Sequence, residues 1–313
     1  MNILVTGGAG FIGSHLVEQL HTRAEVRVLD NLRSGFRNNL DGLRCEFIAG
    51  NILDRDVVRQ ALFGIDYVFH LAAMVSVPES VQQPTECAEI NSRGTLIVLE
   101  EAARAGVKKL AFSSSAAVYG NNPVATKVET LPPEPASPYA ASKLEGEWLC
   151  DRFTREGRLD TVSLRYFNVF GPRQNPRSAY AAAVPAFIEH ALLNEPLTIY
   201  GDGEQTRDFV SVSTVAAANI FLATQAAVTG VFNVAGGRAI TINQLARQIC
   251  ELAGSRSTIR HAAGRAGDIK HSRADIGRLT ATGFKGQTDF VPALRETVDH
   301  FKTNLSPKPV TSN

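Results

Sequence analysis

The chain has 313 residues, 44% of them hydrophobic, and a formal net charge of +1 from 32 basic and 31 acidic side chains. That length allows one large or two fused domains, with ample apolar content for a buried core. Acids and bases are mixed with no basic tract, which excludes nucleic acid as an expected partner, and the apolar runs are far too short to span a bilayer, which excludes the membrane.

The first half alternates strand-like and helix-like stretches. Strands are expected at Asn2–Val5, Val26–Leu29, Arg44–Ile48, Asp66–His70, Lys109–Phe112 and Thr161–Arg165, and helices starting near Phe11, Asp54, Gln83 and Pro138. This alternation predicts an α/β fold, a Rossmann-type doubly wound parallel sheet with helices on both faces. No basic segment with an apolar core precedes the first strand, so a cytoplasmic location is expected. After about Gly171 the pattern loosens. Asn175–Tyr180 reads as a polar loop, Val184–Leu193 as a helix, Leu197–Tyr200 as a strand and Gly201-Asp202-Gly203 as a turn. A buried strand at Val231–Val234 and a helix over Thr241–Ala253, with Thr241 as cap, follow. The expected organisation is a cofactor-binding domain over 1–170 and a smaller α/β substrate lobe over 171–305. Segments near 207–235 return to the first domain, and a disordered tail covers 306–313. The four cysteines, Cys45, Cys87, Cys150 and Cys250, are far apart and lack CxxC spacing, so they read as ordinary thiols, and no metal cluster is visible.

Gly7-Gly8-Ala9-Gly10-Phe11-Ile12-Gly13 follows the first strand and opens a helix. Glycines there let the backbone turn tightly and approach a pyrophosphate, onto which the helix points its first amides. The second strand ends in Asp30, 17 residues after Gly13, where a carboxylate would take the adenosine ribose hydroxyls. A carboxylate repels a 2′-phosphate, so NAD is favoured over NADP, with nearby Arg33 pulling slightly the other way.

Tyr139 and Lys143 stand at i and i+4 after Ser137-Pro138, a cap and first-turn pair, so both side chains share one helix face. A free tyrosine titrates near 10. A neighbouring ammonium would lower that and poise the phenol for alcohol–ketone chemistry. Ser113-Ser114-Ser115 places three hydroxyls at the carboxyl end of a strand, where doubly wound sheets hold ligands.

Taken together, Thr6-Gly-Gly-Ala-Gly-Phe-Ile-Gly, Asp30-Asn31, Ser113-Ser-Ser-Ala-Ala-Val-Tyr-Gly and Tyr139-Ala-Ala-Ser-Lys143 resemble the extended short-chain dehydrogenase/reductase family. Within it the chain is most similar to UDP-glucose 4-epimerases and their UDP-N-acetylglucosamine relatives, from Met1 to about Phe301. The resemblance implies Tyr139 as acid/base, Lys143 as its partner and nicotinamide-ribose ligand, and Ser115 as a hydroxyl on the reacting sugar. It implies NAD held by Gly7, Gly10, Phe11, Ile12 and Gly13, with Asp30, Asn31, Ser34 and Gly35 at the adenosine ribose. Asn51, where the family usually has Asp, and Ile52 would flank the adenine. Leu71, Ala72, Ala73, Asn91 and Ser113 would line the channel, and Tyr166 the nicotinamide side. For the UDP-sugar, it points to Asn168 and Arg207 at the diphosphate, Arg265 as a second arginine, Asp268 near the uridine ribose, and Val184 and Tyr200 beside the substrate. Two arginines can neutralise and orient a diphosphate through charge-assisted bonds. Relatives of this kind often dimerise through two helices, for which those starting near Gln83 and Pro138 are candidates.

Dehydratases and decarboxylases of the family carry acidic residues after the hydroxyl of the Ser/Thr motif, whereas Ala116 and Ala117 stand here. The implied reaction is therefore inversion at C4 of a UDP-sugar through a transient 4-keto intermediate, without external reductant. Ser272 falls where a bulky tyrosine goes with exclusion of N-acetylated sugars, so a serine implies room for UDP-GlcNAc and UDP-GalNAc besides UDP-glucose and UDP-galactose. The rival readings are a dehydratase, decarboxylase or reductase of the same family, and a non-catalytic NAD-sensing module of the same fold.

Overall fold

The computed structural model describes residues 1–176, 182–264, 270–286 and 288–304. In chain order the first half runs β1 (Asn2–Thr6), α1 (Phe11–Leu20), β2 (Glu25–Asp30), β3 (Glu46–Ala49), α2 (Arg55–Ala61), β4 (Tyr67–His70), α3 (Val77–Gln82), α4 (Pro84–Ala88), α5 (Gly94–Arg104), β5 (Lys109–Ser115), β6 (Thr126–Lys127), α6 (Pro138–Arg155) and β7 (Asp160–Tyr166). The second half adds β8 (Asn168–Phe170), α7 (Ala183–Leu192), β9 (Leu197–Tyr200), β10 (Thr206–Ser211), α8 (Val212–Thr224), β11 (Gly230–Val234), β12 (Ala239–Thr241), α9 (Ile242–Ala253), β13 (Ile259–Ala262), β14 (His271–Ala274), α10 (Gly277–Ala281) and α11 (Phe290–Asn304).

Seven strands form one parallel sheet in the order β11-β7-β5-β4-β1-β2-β3, the expected doubly wound α/β architecture. The order reverses about β1, which puts the ends of β1 and β4 at the crevice where such sheets bind ligands. Strands buried on both faces read as continuous apolar runs: Ile3, Leu4 and Val5 are each no more than 1% exposed. One apolar cluster joins β1 and β2 to α1 and α8 on one face. A second joins β1, β4 and β5 to α2, α5 and α6 on the other.

The expected single helix from Gln83 is instead a chain of pieces. Ser76 caps α3 by accepting from Glu79 N–H, α4 restarts at Pro84, and a π-turn over Glu89–Arg93 leads into α5. Pro84 has no N–H to continue the preceding ladder, and the π-turn carries Asn91. The expected strand Arg44–Ile48 is displaced to Glu46–Ala49.

Strands beyond β7 join β6 in a second sheet, ordered β12-β10-β14-β6, with β8 also paired to β10. Its core is a third cluster from α7, α9 and α11, with Phe170, Phe209 and Phe290 in mutual aromatic contact. Thr241 caps α9 in a reciprocal capping box with Gln244. The chain returns to the first sheet through α8 and β11, β11 pairing with β7 along its whole length. The tail expected over 306–313 lies outside the described residues. No helix among them is long and apolar enough to cross a membrane.

Candidate active site

The glycine turn is built so tightly that side chains cannot enter it. Gly7 sits at φ 71°, and a Cβ on Gly13 would lie 2.2 Å from the Gly7 oxygen. A Cβ on Gly35 would meet the Ala9 backbone at 2.8 Å, so the segment carrying Asn31 and Ser34 lies directly over the turn. No side chain caps the start of α1 at Gly10, which leaves its first amides, at half-buried Phe11 and Ile12, for a ligand. Asp30 ends β2 with one carboxylate oxygen accepting from Ala9 N–H at 2.9 Å and the other from Leu32 N–H at 2.8 Å. Arg33 is paired with Glu79 at 2.9 Å and Glu86 at 2.5 Å, so its charge is already neutralised and does not favour a 2′-phosphate. An uncapped helix start, a turn without side chains and a carboxylate at the next strand end fit a dinucleotide. The exposed Asn51 and buried Ile52 follow β3 at the same end of the sheet.

At the end of β5 the three serines separate. Side chains alternate along a strand, so Ser113 and Ser115 share one face while Ser114 points away, donating to Glu147 at 2.5 Å. Glu147 is locked in a buried bidentate pair with Arg165, at 2.8 Å and 2.7 Å. Of the hydroxyls expected together, Ser114 is therefore structural. Ser115 is half-buried, accepts from Ala117 N–H at 3.1 Å and lies near enough to the phenol of Tyr139 to lower its pKa.

Ser137 caps α6 by accepting from Ala140 N–H at 3.1 Å, and Tyr139 and Lys143 occupy one face of its first turns. Lys143 Nζ donates to the Ser113 main-chain oxygen at 2.8 Å and lies 5.1 Å from the Phe112 ring centroid and 5.9 Å from that of Tyr139. The expected lowering of the tyrosine by its lysine is corrected here. Burial pushes the Tyr139 pKa above its usual value, outweighing the lowering by Ser115. Lys143 itself falls to about 8, again by burial. Desolvation disfavours both charged forms and outweighs an ammonium held beside the ring rather than at the phenol oxygen.

Two buried networks behind this pair were not foreseen from sequence. Thr95 donates to the Asn91 main-chain oxygen at 2.5 Å, so its hydroxyl oxygen accepts from His70 Nε2 at 3.0 Å. His70 Nδ1 then accepts from Thr6 at 2.7 Å, and Thr6 accepts from Ala72 N–H at 3.3 Å. The network assigns a neutral imidazole, whose pKa burial lowers to about 3. The second network runs from Ser113 through the Tyr166 hydroxyl to Asn219 Oδ1, each step 2.9 Å. A lone Asn in the apolar run of α8 was its sequence signal.

Asn91 has its amide fully engaged. Its oxygen accepts from Met74 N–H at 2.7 Å, while its nitrogen donates to the Met74 oxygen at 3.0 Å and to Ser142 at 2.9 Å. It therefore clamps the segment after Leu71, Ala72 and Ala73 to α6. A Cβ on Gly7 would meet Ala72 N at 2.7 Å, which brings that segment against the glycine turn.

The substrate candidates divide. Arg207 on β10 is in register with Ser272 on β14, and Phe209 with Asn168 on β8, so these three candidates sit on adjacent strands. Asn168 donates to the Asp208 main-chain oxygen at 2.9 Å. Val184 is 2% exposed, packed in the core with α9 and α11, so it is not a surface of a site here. Tyr200 is 42% exposed at the end of β9. Arg265 and Asp268 lie outside the described residues.

Residues 3–235 match the model of the NAD dependent epimerase/dehydratase family. The chain belongs to this family. NAD is accordingly its cofactor, as the glycine turn and Asp30 require. A UDP-N-acetylglucosamine 4-epimerase from Methanobrevibacter ruminantium, solved with UDP-N-acetylmuramic acid, is 44% identical over 97% of this chain and 99% of its own, with a TM-score of 0.93. A Thermus thermophilus UDP-glucose 4-epimerase solved with NAD is 39% identical over 97% of this chain and 100% of its own, with a TM-score of 0.89. A putative UDP-glucose 4-epimerase of Methanocaldococcus jannaschii is 35% identical over 96% of this chain and 99% of its own length. The family also reaches other reactions, as in a Streptomyces niveus dTDP-glucose 4,6-dehydratase, 32% identical over 97% of this chain and 94% of its own length.

Proposed function

We propose that the protein is a UDP-sugar 4-epimerase, that it accepts UDP-GlcNAc and UDP-GalNAc as well as the plain hexoses, and that it works as a homodimer. The observation that carries the reaction is the placement of Tyr139 and Lys143 on one face of α6 at the end of β5, with Lys143 Nζ donating to the Ser113 main-chain oxygen at 2.8 Å and Ala116 and Ala117 following where a dehydratase would need an acid. Glu147, reached by Ser114 on the opposite side of the strand, is locked on Arg165. NAD supplies a reversible hydride acceptor for C4 of the sugar.

Tyr139 takes the 4-hydroxyl proton and later returns it to the ketone oxygen, inversion coming from return of the hydride to the other face of C4, and Ser115 holds the reacting oxygen. Because burial favours the neutral phenol, Tyr139 takes up the proton readily and gives it back to the more basic alkoxide oxygen that forms as the ketone is reduced. Lys143 is fixed by Ser113 as a donor beside the ring. Arg207 and Asn168 anchor the diphosphate while the sugar turns, so remote binding energy holds the intermediate. Ser272, in register with Arg207, leaves space for an acetamido group. Trp148, 62% exposed on α6, offers an apolar contact for a second copy, which light scattering tests by mass.

The test of the reaction is turnover in D2O. The epimer should carry hydrogen, not deuterium, at C4, because that hydrogen leaves and returns within the site. Full deuteration at C4 would overturn the reading.

A further inference from the structure

The buried carboxylate of Asp208 has no place in the chemistry above, yet it is 0% exposed. One of its oxygens accepts from Gly236 N–H at 2.8 Å and the other from Ala274 N–H at 3.1 Å. Its main-chain oxygen accepts from Asn168. A single residue thereby ties together three separate pieces of chain: β8, the turn after β11, and β14. Backbone approach is close enough that a Cβ on Gly236 would lie 2.4 Å from the Phe209 oxygen and 3.2 Å from Asp208 Oδ1.

The pieces that it ties are those carrying the substrate candidates. Arg207 precedes it on β10, Ser272 lies two residues before Ala274 on β14, and Asn168 ends at its main chain. β14 pairs with β10 over only two residue positions, Thr206 with His271 and Arg207 with Ser272. So short a ladder sets register weakly, and the carboxylate bond to Ala274 extends it.

We propose that Asp208 is a positioning residue for the nucleotide sugar, holding β14 and the Gly236-Gly237 turn in register so that Ser272 and Arg207 face the same ligand. This rests on the UDP-sugar reading. The Asp208 carboxylate is spent on backbone amides, so its loss acts on binding rather than on the chemical step. An amide in its place keeps one acceptor but turns a donor toward a backbone N–H, which leaves that N–H buried and unpaired. Burial also raises the Asp208 pKa to about 6, so the backbone donors hold a carboxylate whose charge is unfavourable there.

The experiment compares the full-length NAD-loaded protein with Asp208→Asn and with Gly236→Ala, which disturbs the same contact from its other side. Turnover and calorimetric binding of UDP-GlcNAc and of UDP-glucose are measured, together with NAD content. The expected result in both variants is a KM and Kd raised at least tenfold, with kcat within about threefold and NAD content unchanged. A KM within twofold of wild type in Asp208→Asn overturns the inference. So does a parallel fall of kcat, NAD content and melting temperature, which marks a merely structural role. Wild-type protein that binds neither UDP-GlcNAc nor UDP-glucose fails at an earlier point: it overturns the UDP-sugar reading, and the inference with it.

Discussion

Lys143 Nζ and the main-chain oxygen of Ser113 are joined by a 2.8 Å hydrogen bond between buried partners. Two residues on, the same strand presents Ser115 to Tyr139. One strand end thus sets both members of the Tyr–Lys pair, and the helix that carries them is capped and clamped from two further sides by Ser137 and Asn91. This rigidity is what an acid/base needs, since small misplacements cost large factors in rate.

Replacing Tyr139 by Phe removes the proton acceptor but keeps the ring. Turnover of the UDP-sugar should fall by about 10²–10⁴-fold, the range of general acid–base catalysis, while NAD remains bound. Rates from coupled assay and NAD content from absorbance after denaturation check this together.

Lys143 gives a pH dependence with a defined sign. Its folded pKa of about 8 lies below the 10.5 of the unfolded chain. Between those values the unfolded state holds more protons, so stability rises with pH across the window, at most about 1.4 kcal/mol per unit. The ammonium is lost as pH climbs through about 8, so kcat should decline there. Urea melts of wild type and Lys143→Met in NAD-free protein should show wild type gaining on the variant from pH 8 to 10. Parallel curves would remove the assigned burial.

Glu147→Gln leaves Arg165 buried and uncompensated, with side chains only 4% and 5% exposed in the pair. Loss of one partner of such a pair typically costs about 3–5 kcal/mol. Chemical denaturation should show a loss of that size, since the new amide nitrogen faces an arginine donor where Glu147 Oε2 accepted.

How much of this could be read from the sequence depends on how local the signal was. Gly7 to Gly13, Asp30, and the Ser137-Pro138-Tyr139 start of α6 are contiguous motifs whose geometry follows from backbone rules, and they stand where expected. The strands β8, β10 and β14 are short and pair across 41 residues (Asn168 with Phe209) and 65 residues (Thr206 with His271), so no periodicity announced them. The helix α8 is apolar all round and reads as neither period. The shift of Tyr139 was misjudged because an i, i+4 lysine is visible in sequence while desolvation is not. His70, Thr95 and Asn219 gained their partners only through tertiary folding.

Ser272→Tyr puts a large side chain beside Arg207 on the adjacent strand. UDP-GlcNAc turnover should fall at least about tenfold, the scale of excluding one substituent from a pocket, while UDP-glucose turnover stays within about threefold. Equal loss for both sugars would show that the position does not select.

The central claim is the epimerase reaction, and product identity tests it most directly. Purified protein is incubated with UDP-GlcNAc, and separately with UDP-glucose, without added reductant, and the products are resolved by mass and NMR. The account predicts the C4 epimer, of unchanged mass, from both. A product of lower mass, or no reaction without NADH or NADPH, would contradict it and point to a dehydratase, decarboxylase or reductase on the same scaffold.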